Sequence, residues 1–82
     1  MVVIKMQELL EMIAYGQMID EMFLEIRNET IDRRVINYLK VKYLLLFRKG
    51  FVIINNDKLD KTTKGIVAYN EYKKSFLRER LS

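Results

Sequence analysis

Arg33, Asn37 and Lys40 stand at positions i, i+4 and i+7, so on a helix they line one stripe. The types suit a definite chemistry. An arginine fork matches the O6 and N7 acceptors of guanine, and an asparagine amide matches N6 and N7 of adenine. A lysine ammonium suits a phosphate. At about 100° per residue, Arg48 joins this side and Arg34 lies at its edge, together with Val41 and Leu44. An ordinary solvated helix face is the plainer reading of the same spacing. A second group follows in "NNDK", where Lys58 suits phosphate and Asn55 and Asn56 suit sugar or base. All four residues, Asp57 included, also suit a plain turn. Lys61 and Lys64 flank the start of a further helical segment, whose amide groups attract phosphate; solvent exposure is their alternative.

Other chemistries are poorly supplied. The chain has no cysteine and no histidine, which removes thiol nucleophiles, the imidazole base and the zinc sites that need either residue. No Gly-rich phosphate loop or nucleophile–base pair occurs. The expectation is a protein that is not an enzyme, with no metal, no cofactor and no small-molecule substrate implied. No stretch approaches the ~20 apolar residues of a membrane span. The opening "MVVIKMQELLEM" interrupts its apolar run with Lys5, Glu8 and Glu11, unlike a signal peptide. A cytoplasmic protein without membrane contact is expected.

Charge is unevenly distributed. Residues 1–29 hold two basic side chains against six acidic, a balance of −4, and residues 30–82 hold thirteen against five, a balance of +8. A change of sign within so short a chain suits an anionic partner on one surface.

The elements that must carry these groups follow from apolar spacing. With 82 residues, half of them apolar, and no proline, one small domain over 1–82 is expected. Val2, Val3, Met6, Leu9, Leu10 and Ile13 predict a helix over about 2–15 that Gly16 ends. Ile19, Met22, Phe23 and Ile26 predict a short helix over about 18–27, and "RNET" a turn with Asn28 left-handed and Thr30 as the next cap. A third helix should run over about 31–49, stopped by Gly50, with Ile31, Val35, Tyr38, Leu39, Leu45 and Leu46 on its apolar side. Lys42 falls on that side too, a defect its long stem relieves by reaching outward. "FVIIN" and "KLDK" make a hairpin over about 51–61, too small to stand unless it lies on the helices. Thr62 caps a last helix over about 63–81, on which Ile66, Tyr69, Tyr72 and Phe76 recur. The methionines of the first two helices read as core.

Helix, short helix, turn, longer helix, hairpin, helix is the order of a winged helix-turn-helix domain. "LLLFRKGFVI" followed by "LDKTTKGIVAYNEYKK" resembles the second half of small archaeal winged-helix transcriptional regulators and their archaeal-virus relatives. Those carry a Leu-Thr-x-Lys-Gly segment leading into a long helix. Thr62, Lys64 and Gly65 match it, whereas Lys61 stands where the family has leucine, and Leu59 takes part of that place. The resemblance covers about Ile31 to Lys74; residues 1–29 agree only in helix count and length.

The resemblance implies a mainly α fold with a small β-hairpin: a three-helix core, a wing and a long carboxy-terminal helix. It makes the third helix the recognition helix, which enters the major groove, and the hairpin the wing. It also implies a homodimer through the last helix, with Tyr69, Tyr72, Phe76 and Leu77 at the interface and half-sites about 34 Å apart. The expected function is sequence-specific binding of double-stranded DNA by a transcriptional regulator, a repressor by occlusion. Two alternatives stand beside it. One is a protein-interaction module that uses the acidic first half (Glu8, Glu11, Asp20, Glu21, Glu25). The other is a non-specific, chromatin-type DNA coat.

Overall fold

The computed structural model describes residues 5–27 and 31–81. The start of the expected first helix (residues 2–4), the Asn28 turn and the Thr30 cap lie outside the described residues. The fold is mainly helical with one two-stranded antiparallel hairpin. The elements are α1 (Met6–Ile26), α2 (Arg33–Lys42), α3 (Leu44–Arg48), β1 (Val52–Asn55), β2 (Lys58–Lys61) and α4 (Thr63–Leu81). Among the described residues no helix is long and apolar enough to cross a membrane.

The first correction concerns Gly16. It does not end a helix; α1 runs through it without a break. Glycine inside a helix costs about 1 kcal/mol relative to alanine, and the return here is close packing. A Cβ at position 16 would lie 2.2 Å from the Ala68 carbonyl oxygen and 2.6 Å from the Tyr72 Cβ. Glycine is what lets α1 and α4 touch backbone to backbone. Gly16, Ile19, Met22 and Ile26 form the buried stripe of α1. The helix stops at Arg27, whose left-handed backbone (φ 51°) sends its N–H to the Phe23 carbonyl.

The expected third helix is two helices. Asp32 caps α2, its carboxylate accepting the Val35 N–H at 2.9 Å. Helical geometry lapses at Tyr43 (φ −113°, ψ 37°) and resumes in α3. That break resets the phase of the apolar residues. Ile31, Leu39, Tyr43 and Leu46 are buried, while Tyr38 and Leu45, expected inside, are each 49 % exposed. Gly50, at φ 76°, closes the segment as expected.

The hairpin pairs Val52 with Lys61 and Asn55 with Lys58. Its two turn residues, Asn56 and Asp57, both have positive φ (52° and 60°), as a two-residue type I′ turn demands and as Asn and Asp tolerate. Phe51, Val52 and Leu59 are buried and hold the hairpin on the helices; the Phe51 ring stacks on Tyr15 at 4.7 Å. Among the methionines, Met22 is fully buried and Met18 packs on the core, but Met6 is 68 % exposed.

Candidate nucleic-acid interface

The "TTKG" segment is a junction. Thr62 caps α4, its hydroxyl oxygen accepting the Gly65 N–H at 3.1 Å while its O–H donates to the Gly50 carbonyl. The Thr62 N–H reaches the Phe51 carbonyl at 3.1 Å. Gly65 sits so close to the chain at Phe51 that a Cβ would lie 1.9 Å from its carbonyl oxygen. The Lys64 ammonium donates to the Lys49 carbonyl at 2.9 Å, just past the end of α3, and lies 4.6 Å from the Phe51 ring centroid. Thr62, Lys64 and Gly65 thus tie α3, the base of the hairpin and α4 together.

Lys61 is employed inside the molecule as well. Its ammonium lies 4.1 Å from the Phe23 ring centroid and 4.6 Å from that of Tyr69, which is cation–π geometry. A lysine where the resembled family has leucine still anchors, through its charge on two ring faces. Lys61 and Lys64, both expected at phosphate, are therefore bound to the protein's own groups.

The remaining expected residues are free. Among the described residues, Arg33, Arg34, Lys40, Arg48 and Lys58 are exposed, and their side chains make no ion pair, hydrogen bond or ring contact. Asn37, Asn55 and Asn56 are exposed too. Arg33, Arg34, Asn37 and Lys40 ride on α2, where the span from Arg33 to Lys40 is about 10 Å at 1.5 Å per residue, roughly three base pairs of duplex. Val41, 79 % exposed, and Leu44, 44 % exposed, adjoin them. Arg48 sits at the far end, on α3.

A backbone bond joins the segment just before α2 to the hairpin tip. The Ile31 N–H donates to the Asp57 carbonyl at 3.2 Å, and Ile31 is buried there. The amino-terminal end of α2, with Arg33 and Arg34, is thereby set beside Asn56, Asp57 and Lys58. Two carboxylates, Asp32 and Asp57, share that end, and Asp32 is already engaged with the Val35 N–H.

A polar cluster that the sequence did not announce ties α2 to α1. Glu25 accepts the hydroxyls of Tyr38 and Tyr43, each at 2.7 Å, and pairs with Lys42 at 3.2 Å. The Lys42 ammonium also lies 5.4 Å from both tyrosine rings. The Tyr38 and Tyr43 hydroxyls hold the Glu25 carboxyl below its ordinary value. Lys42 is raised by its bonds to Tyr38 and Glu25. Burial, then the bond to Glu25, pushes the Tyr43 hydroxyl up to about 12. Lys42 does reach outward from the apolar side, and it ends on this cluster.

On α4, Tyr69 and Tyr72 are half-buried against their own chain. Tyr72 packs at Gly16, and Tyr69 faces Lys61 and Lys73. Phe76 and Leu77 are 38 % and 57 % exposed. Among the described residues no group of three carboxylates could hold a metal ion. Comparison with protein-family models, curated proteins and solved structures gives no match for this chain.

Proposed function

We propose that the chain binds double-stranded DNA as a winged-helix protein, with α2 as the recognition helix, the hairpin as the wing, and transcriptional regulation as the outcome. The second half of α1 and α2 then serve as the two helices of the helix-turn-helix. What supports this reading is one arrangement: Arg33, Arg34, Lys40, Arg48 and Lys58 without a partner among the described residues, three exposed amides, and the segment before α2 bonded to the hairpin tip through Ile31 and Asp57. Cations without internal partners are the ones able to displace counterions from phosphate. Asn37, in the middle of the stripe, is the base reader, and Lys58 and Lys40 meet phosphate. Repression by occlusion of a promoter needs no catalysis and no cofactor.

A homodimer through α4 belongs to the same proposal. Phe76 and Leu77 support it by their exposure; Tyr69 and Tyr72 are left out of the interface because their own chain half-covers them. Sedimentation at micromolar concentration tests it, and a monomer alone ends it. A cytoplasmic setting goes with the function.

Selection of bound duplexes from a random pool, repeated over a range of salt, tests the reading as a whole. Enrichment of one short motif with salt-sensitive affinity is expected. Recovery of unrelated sequences with equal affinity favours a coat without specificity, and no duplex binding at physiological salt leaves the protein-interaction module.

A further inference from the structure

Away from the α2 stripe, a groove of about 420 Å³ is lined by Asp20, Phe23, Leu24, Arg27, Lys61 and Tyr69. Its size falls in the lower part of the range for small-molecule sites. Its lining has an uneven charge balance. Asp20 is the one carboxylate among these residues, and Lys73 already takes it at 3.4 Å. Lys61 is held over two ring faces and, among the described residues, has no carboxylate partner. Among the described residues Arg27 has none either, and the left-handed cap of α1 fixes its backbone. Among the described residues, the groove therefore keeps two cations without a carboxylate partner.

The apolar part is equally lopsided. Leu24 is 67 % exposed at the groove, next to Phe23 in sequence. An exposed leucine beside aromatic surface offers a flat apolar body a place to be buried, and the two cations offer charge-assisted hydrogen bonds to an acidic group. We infer that this groove binds a small organic anion with a flat apolar body, the class to which aryl carboxylates belong. Neither half of that description suffices alone: the rings and Leu24 have nothing to hold in a bare anion, and a neutral ring leaves the cations unpaired. The site brings together α1, the end of β2 and α4, and it stands whether or not the chain binds DNA.

The test is a two-dimensional amide NMR titration of the full chain with sodium benzoate, with acetate, inorganic phosphate and benzyl alcohol as controls. Saturable shifts confined to the amides around Phe23, Leu24, Arg27, Lys61 and Tyr69 are expected for benzoate, with affinity at least about tenfold above each control. Lys61→Met keeps the stem over the rings and removes the charge; Arg27→Asn keeps a residue that tolerates a left-handed backbone. Each should weaken benzoate about tenfold while leaving the rest of the spectrum in place. Should Lys61→Met fail to fold, Arg27→Asn decides alone. Equal responses to benzoate and acetate, shifts elsewhere on the chain, or full affinity in Arg27→Asn overturn the inference.

Discussion

The base of the hairpin and its tip use the same residue types for opposite ends. At the base, Lys61 and Lys64 are spent on ring faces and on the Lys49 carbonyl. At the tip and along α2, Lys58, Arg33, Arg34 and Lys40 have no partner among the described residues. A basic balance of +8 over residues 30–82 is thus two populations, one holding the fold together and one available to a partner. Changes at the base should cost stability and spare duplex binding; changes on the α2 face should do the reverse.

The largest expected effect is at the close approaches. Gly65→Ala drives a methyl into the Phe51 carbonyl, and Gly16→Ala drives one into Ala68. Overpacking costs ~1–3 kcal/mol and more where backbone blocks relief, so each should lower unfolding free energy by at least about 2 kcal/mol in urea melts. A melt unchanged in either variant would mean that the helices or the junction do not meet as described. Next come the face residues. Asn37→Ala should leave the melt alone and cost about 1–3 kcal/mol of discrimination at one or two base pairs. Lys58→Ala should weaken all duplexes alike. If the two variants behave identically, the division between reading and anchoring fails.

How far these regions could be read from the chain alone depends on the reach of the interactions. The Thr62 cap, the Gly50 stop, the hairpin and its turn are local, and the spacing of a few residues announces them. Gly16 looks like a terminus in the sequence, as a glycine after an apolar run does, because its use lies in a helix at the other end of the chain. The lapse at Tyr43 was hidden for the same reason, since its hydroxyl answers to Glu25 on α1. The exposure of Arg33, Asn37 and Lys40 was legible from helical phase. That Lys61 and Lys64 were already occupied was not, because aromatic faces contributed by distant residues leave no mark on spacing.

Smaller effects sharpen the contrast. Asp32→Ala removes the cap of α2 and should cost about 1 kcal/mol, loosening the stripe without touching its cations. Asp32→Asn should restore most of the loss. The Glu25 cluster adds a pH dependence. Because the fold lowers the Glu25 pKa, its contribution is present above the ordinary carboxylate range and fades as pH falls through the folded value. Tyr43 works the other way: raised to about 12, it favours the fold below its ordinary value and loses that contribution as pH climbs through the folded one. Glu25→Gln should flatten the acid limb of a stability–pH curve, and Tyr43→Phe the alkaline limb. An acid limb unmoved by Glu25→Gln would show that other carboxylates set it.

The division of the cations is tested most directly by the salt dependence of duplex binding in three proteins: the natural chain, a Lys61→Met/Lys64→Met pair, and an Arg33→Gln/Lys40→Gln/Lys58→Gln triple. Arg33, Arg34, Lys40, Arg48 and Lys58, at about 0.9 each, give the natural chain a slope of log K against log salt near −4.5. The anchored pair should keep that slope, and the triple should fall to about −1.8. A slope that drops in the pair and holds in the triple would contradict the account.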